Sequence, residues 1–352
     1  METPQKPTKS RAKPATGAPS IADVAKVAGV SAQTVSRVST GYQGVRPATR
    51  ERVLNAMRTV GYVPNSAARA LKHGSFRTIG VVAHQLARTG ESSTIEAVVD
   101  SAQRQGFGVS LVDISSPTSA DVSAAAAGLA SRAIDGLVII RAESIEADAL
   151  ALPPQVPVVV SDSRFADNYP AVATDQRAGA IGAVKHLLRL GHRSVTHISG
   201  PSQSLPARER HEGWEHALQE SGIAVPEPLV GGWDARSGYD HGQALLDKIK
   251  AREVTAVFCA NDQVALGFYR AVYEAGCRIP DDVSVIGFDD IPEAAFYAPP
   301  LTSVAQDFHQ IGERLVSMLI EQIGSNSPHN EHILLPVELV ERASTAPPPG
   351  AK

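Results

Sequence analysis

IADVAKVAGVSAQTVSRV, residues 21–38, has apolar residues at helical spacing on either side of a break. Ser20 and Asp23 form an N-cap pair for a first helix whose apolar face is Ile21, Val24, Ala25 and Ala28. Gly29 tolerates the left-handed conformation that ends this helix, and Ser31 caps a second from about Ala32 to Val38. Two short helices joined by a tight turn with glycine are the helix-turn-helix arrangement, in which the second helix is presented for insertion into the DNA major groove.

Working outward, residues 42–46 read as a loop. Pro47 starts a third helix with the stripe Val53, Leu54, Met57 and Val60, closed by Gly61. Asn65 can cap a further short helix through Leu71, with small residues at Ala67, Ala68 and Ala70. A helix of that length is marginal alone and forms against a partner. Residues 1–19, rich in Pro, Lys and Thr, have almost nothing to bury and read as a disordered basic tail. Up to Thr78 there are thirteen Lys and Arg against three acids; beyond it, 20 against 34. A basic head on an acidic body points to a polyanionic partner for the head.

From Arg77 the texture changes. TIGVVA, GVSLVD, DGLVII, VPVVVSD, AVATD, SVTHISG, LVGGW, TAVFCAND and VSVIGFDD read as strands buried on both faces, alternating with helices near 92–105, 119–133, 177–190, 207–221, 236–250 and 263–275. That rhythm predicts parallel sheets covered by helices, and its length predicts two such units. Ligands in such sheets lie beyond the strands' carboxyl ends, where Asp162, Asp175, Trp233, Asn261, Asp262, Asp289 and Asp290 fall. Cys259 and Cys277 form no CxxC or Cys/His cluster, so neither a disulfide framework nor a metal site is expected. The small-residue stretch RAGAIGAV, 177–184, lacks full GxGxxG spacing, and no GxSxG elbow or Walker loop is present, which argues against an enzyme. A transport-binding protein would need export. With no secretory signal and no apolar run of membrane-span length, a cytoplasmic setting without membrane contact is expected.

The head motifs IADVAKVAGVSAQTVSRV, TRERVLNAMRTVGYVPN and ARAL resemble the lac repressor family of bacterial transcription regulators, as do SGPSQSLPARERHEGW, TAVFCANDQVALG, RIPDDVSVIGFDDIP and PPLTSVAQDF in the body. The resemblance covers about residues 20–342. It implies a small all-α helix-turn-helix head plus an α/β core of the type I periplasmic-binding-protein kind, with two parallel-sheet subdomains. The expected division is a tail at 1–19, the DNA-binding domain at 20–64, and a hinge helix and linker at 65–76. The core follows at 77–342, with an N-subdomain of about 77–175 and 308–335 and a C-subdomain of about 176–307 and 336–342. Residues 343–352 read as a second disordered tail. That tail lacks leucine heptads, so a homodimer is expected.

The resemblance further implies a repressor of a pseudo-palindromic double-stranded DNA operator, controlled by a small effector, a sugar by expectation, with no cofactor and no metal. Ala32, Gln33 and Arg37 would face base edges, Gln suiting adenine and Arg guanine. Thr34, Ser36 and Thr49 would touch phosphates. Asn65, Ala68 and Leu71 would serve in the hinge, Leu71 entering the minor groove. Asp162, Arg210, Trp233, Asn261, Asp289 and Gln306 would bind the effector, with His84, Arg88 and Glu91 in a facing loop. Asp289-Asp290-Ile291-Pro292 also reads as a helix start, Trp233 as core packing, and Trp214 falls on an amphipathic helix where core packing is favoured. Whether the effector releases DNA or promotes binding is left open.

Overall fold

The computed structural model describes residues 19–40, 42–63, 74–115, 118–140, 151–161, 169–325 and 331–350. Asn65, Ala68, Leu71 and Asp162 lie outside these residues, as does the whole of the predicted hinge helix, 65–71. The chain divides into a head ending at Gly74 and a core from Ser75.

In the head, α1 (Ile21–Ala28), α2 (Ala32–Ser39) and α3 (Pro47–Val60) surround a core of Val24, Ala28, Val35, Val38, Val53, Ala56 and Met57. The Ser20–Asp23 pair is a reciprocal capping box, Gly29 sits at φ 61°, and the Ser31 side chain accepts from Thr34 N at 3.2 Å. Leu54, expected on the buried stripe of α3, is 42% exposed, and Ala56 takes its place. The i, i+3, i+4 rows through Val53 and Leu54 diverge by a full 100° step, and only the row including Val53 and Met57 faces α1 and α2. A buried valine here contributes roughly 2 kcal/mol, a large share of what so small a core can supply.

Among the described residues the core holds two six-stranded sheets. The first runs β11 (His332–Leu335), β5 (Ala171–Thr174), β4 (Val158–Ser161), β3 (Gly136–Ile140), β1 (Thr78–His84), β2 (Gly108–Ile114), with parallel pairing throughout. The second runs β12 (Glu338–Val340), β10 (Thr302–Ala305), β9 (Ser284–Asp289), β8 (Ala256–Cys259), β6 (Thr196–Ser199), β7 (Leu229–Val230). Only β12 in it is antiparallel to its neighbour. Central strands such as β3, β4, β8 and β9 are buried at every position, as their continuous apolar runs predict. β2 and β7 are not: as edge strands they keep one side open, and Leu111 and Val230 are exposed.

The first sheet is covered on one face by α4 (Thr89–Arg104) and α10 (Phe308–Ser325), on the other by α5 (Ser119–Ser131). The second is sandwiched between α6 (Gln176–Arg189) with α7 (Leu205–Glu220) and α8 (Ala235–Lys250) with α9 (Asp262–Glu274). The chain passes between the two halves at Asp175, at 306–307 and at 336–337. Small residues in 177–184 serve packing: a Cβ on Gly179 would lie 2.8 Å from the Phe288 ring.

The segment expected to be a disordered tail from 343 is instead fastened to the second sheet. Ser344 is fully buried; its hydroxyl donates to Val285 O at 2.6 Å and accepts from Thr302 N at 2.8 Å, while Val285 N donates to Ser344 O at 2.9 Å. Ala346 O accepts from the Ser284 hydroxyl at 3.0 Å and meets His192 Nε2 at 2.9 Å. The short Ala- and Pro-rich stretch read as a loose tail, but serine hydroxyls and backbone groups together fasten it.

Candidate functional sites

On the head, Ala32, Gln33 and Arg37 are exposed on α2, and Thr34 and Ser36 are half-buried at its flanks. Val35 and Val38, on the opposite side, anchor the helix. The Arg37 guanidinium lies 5.5 Å from the centroid of the Tyr42 ring, and Arg50 Nη2 donates to Tyr42 O at 2.5 Å. Thr49 is in the first turn of α3, whose start has Pro47 and no side-chain cap. Thr49 N and Arg50 N already donate to Arg46 O at 3.0 Å, so it is the Thr49 hydroxyl and the neighbouring basic side chains that suit phosphate oxygens. α2 therefore offers one amide and one guanidinium outward on a rigid three-helix support.

In the core, a cavity of about 610 Å³ opens at the carboxyl ends of the strands, between the two sheets. Arg88, Arg210, Trp233, Asn261 and Asp289 line it, joined by Glu91, Asp113, Asp234 and Gln263. Arg210 is fully buried on α7. Its Nε donates to Gln176 Oε1 at 2.8 Å, Nη1 to Ala260 O, and Nη2 to Asp289 Oδ1 at 3.1 Å. The guanidinium stacks 3.7 Å from the Phe288 centroid and 5.3 Å from that of Trp233. A guanidinium placed between rings and tied on three sides presents a fixed donor geometry rather than a mobile charge.

Asp289 accepts from Arg210 and, at 2.6 Å, from Gln306 Nε2, so it is not the helix cap that its sequence context also suggested; the 3₁₀ helix Pro292–Phe296 has no side-chain cap. Its backbone φ is +102° and that of Asp290 +52°, conformations that cost non-glycine residues energy and persist only when held. The fully buried Asp262 holds this turn. Its Oδ2 accepts from Ile291 N at 2.9 Å and its Oδ1 from Ser303 Oγ at 2.6 Å, and Ser303 Oγ in turn accepts from Asp290 N at 3.2 Å. Burial, followed by the charge of Asp289, pushes the Asp262 carboxyl well above its usual range.

Asn261 caps α9 by accepting from Val264 N at 2.9 Å, and its Nδ2 donates to Trp233 O at 3.0 Å. Asp234 caps α8. The two helix starts are brought together by glycines: a Cβ on Gly238 would lie 1.8 Å from Val264 O, and one on Gly267 1.7 Å from Ala235 O. Across the cavity, Gln263 Nε2 donates to Thr89 Oγ1 at the start of α4.

Two expected effector residues lie elsewhere. His84 ends β1 with its Nδ1 2.8 Å from Ile114 O, tied sideways to β2 rather than lining the cavity. Gln306 sits beneath the cavity, its amide committed to Asp289, Thr174 and Gln176. Trp214 is core, its Nε1 donating to Val195 O at 2.9 Å. Sequence reasoning passed over Asp113, Gln263 and the buried Gln176. Asp113 and Gln263 each sit at or next to a strand's carboxyl end, which could have singled them out. No group of metal-ligating side chains occurs among the described residues, nor is any helix there long and apolar enough to cross a membrane.

A helix-turn-helix head followed by a two-lobed α/β core with a polar cleft defines the class of ligand-responsive DNA-binding regulators. Comparison with known proteins agrees. Residues 20–65 match the bacterial regulatory proteins of the lacI family, and residues 184–345 match a periplasmic binding protein-like domain. The chain is 34% identical over 329 residues to the lactose operon repressor of Escherichia coli K12, covering 93% of this chain and 90% of that one. It is 32% identical to the HTH-type transcriptional repressor PurR of Histophilus somni, covering 92% and 98%. A lac repressor dimer bound to operator and the anti-inducer ONPF superposes with a TM-score of 0.79 at 32% identity, over 94% of this chain and all of that one. A CelR–cellobiose complex gives 0.66 at 30%, over 93% and 99%. The chain belongs to the lacI family of bacterial regulatory proteins.

Proposed function

We propose that this protein is a homodimeric, sequence-specific repressor that works on DNA in the cytoplasm, with Gln33 and Arg37 reading base edges and a sugar-like effector in the 610 Å³ cavity setting its operator affinity. The observation that carries the effector reading is the buried Arg210–Asp289 pair beside Trp233. Fixed planar hydrogen-bonding groups beside an aromatic face suit the hydroxyls and apolar face of a pyranose. Arg37 and Gln33 each supply roughly 1–3 kcal/mol of discrimination when bidentate to a base. Arg210 and Asp289 hold one another, while Trp233 Nε1 and Gln263 Oε1 at the cavity wall carry no hydrogen bond among the described residues; a fixed pair beside groups that a ligand can satisfy suits binding, and we read the protein as a regulator rather than an enzyme. The hinge helix from Asn65 through Leu71, within the 65–76 hinge and linker, would pair with that of the partner subunit on DNA, with Leu71 wedged into the minor groove; Leu71→Gln then lowers operator affinity and leaves effector affinity unchanged.

Effector binding alters the angle between the two lobes, and by linkage the effector and DNA change each other's affinity by one shared factor. The test is fluorescence anisotropy on labelled DNA from upstream of the protein's own gene, at fixed salt, against a panel of mono- and disaccharides. Release or tightening by one sugar is the expected result. Operator binding unmoved by every sugar refutes the sugar assignment, and binding no tighter than to random DNA refutes the choice of operator.

A further inference from the structure

We infer that Gln176 is a positioning residue that ties the effector-facing Arg210 to two of the crossovers between the lobes, so that displacement of Arg210 is passed directly to the hinge. Gln176 is 1% exposed and opens α6, one residue past the first crossover at Asp175. Its Oε1 accepts from Arg210 Nε at 2.8 Å. Its Nε2 donates twice, to Thr174 Oγ1 at 2.5 Å and to Gln306 Oε1 at 2.7 Å. Thr174, on the other side of that crossover at the end of β5, donates to the same Gln306 oxygen at 2.5 Å. Gln306 stands at the second crossover, and its Nε2 holds Asp289 at 2.6 Å.

Thr174, Gln176 and Gln306 thus close a buried triangle around two crossovers, and each member of the Arg210–Asp289 pair hangs from one of its amides. Both N–H groups of Gln176 and its carbonyl are used, the full donor count of a carboxamide. Rotating one lobe against the other changes backbone dihedrals at 175 and at 306–307, which moves the corners of the triangle apart. A ligand that shifts Arg210 pulls on the same amide. In a buried network this coupling is stiff, because a half-broken network leaves polar groups without partners.

The inference rests on the cavity being the effector site. Its test uses no effector, so the two can fail separately. Hydrogen exchange is measured on the full-length protein and on three variants. Gln176→Glu keeps an acceptor for Arg210 but loses both donors. Amides at 174–178 and 306–310 then exchange about tenfold faster, while 207–213 around Arg210 stay within about twofold of wild type. Thr174→Val, close to isosteric, loosens the same crossovers. Gln176→Met, with neither donor nor acceptor, loosens the crossovers and 207–213 together. Acrylamide quenching of Trp233 rises with crossover exchange in each variant. A uniform speed-up across the core in Gln176→Glu, equal loosening of 207–213 and the crossovers in that variant, or unchanged crossovers in both Gln176→Glu and Thr174→Val overturns the inference.

Discussion

Gly267→Ala and Gly182→Ala make the same chemical change inside helices of the core lobe that carries Trp233, and the structure predicts opposite outcomes. A methyl on Gly182 meets nothing within 4 Å, so the variant gains helix propensity and is more stable by about 0.5–1 kcal/mol. A methyl on Gly267 lies 1.7 Å from Ala235 O and 2.7 Å from both Ala235 C and Tyr239 N. These are backbone atoms of α8 that no rotamer change can move, so the helices must part by roughly 1.5 Å to regain ordinary contact. Overpacking of this kind costs about 1–3 kcal/mol or more. The separation falls where the starts of α8 and α9 meet, so the 3.0 Å bond from Asn261 to Trp233 O is lost as well. Urea melts give the stability change, and quenching of Trp233 reports the cavity wall. Trp233 and Trp214 are the two tryptophans, and Trp214 is fully buried. Equal stability of the two variants, or an unchanged Trp233 signal in Gly267→Ala, would refute the claim that the glycine crossing builds the site.

Burial holds the His197 imidazole down to about pKa 3, between Phe258 and Trp214. The unfolded chain binds that proton near pH 6.5 and the folded chain does not, so His197 makes stability fall as pH drops below that value. Its share of the slope is about 1.4 kcal/mol per pH unit between pH 6 and 4. The raised Asp262 carboxyl works in the opposite direction, so the share is read as the slope difference between wild type and His197→Phe, and parallel slopes would contradict it. Asp289→Leu leaves Arg210 charged and buried, costing about 3–5 kcal/mol in melts, whereas a loss below 1 kcal/mol would show the pair to be solvated. Ser344→Ala removes the acceptor of Thr302 N and the donor to Val285 O, lowering stability by about 1–3 kcal/mol; a neutral result would mean that the 343–350 segment is not fastened.

What could be read ahead of the structure was whatever depends on near neighbours. The capping box at Ser20–Asp23, the break at Gly29 and the cap at Ser31 are decided within four residues, and all are present. The continuous apolar runs of the central strands were equally plain. Long-range pairing was not. Ser344 bonds to residues 42 and 59 positions away, and nothing in the Ala- and Pro-rich stretch around it reveals those partners. Gln176 meets Gln306 across 130 positions, and nothing local marks it. His84 was expected in the loop facing the effector, but it is the last residue of β1 and its side chain turns to the adjacent strand, a choice that depends on where Ile114 O lies. Leu54 failed for a similar reason: two adjacent apolar residues fit one stripe, and only the packed partners decide between them.

The central claim is that the cleft controls the head. It is tested most directly by measuring operator affinity for wild type and for Trp233→Ala, with and without whichever sugar moves the wild type in the anisotropy panel. The expected wild-type change is about 5- to 150-fold, the usual range of allosteric coupling. Trp233→Ala keeps its ligand-free operator affinity and loses the response at sugar concentrations that saturate the wild type. A variant that still responds fully at the same concentration would place effector control outside this cavity.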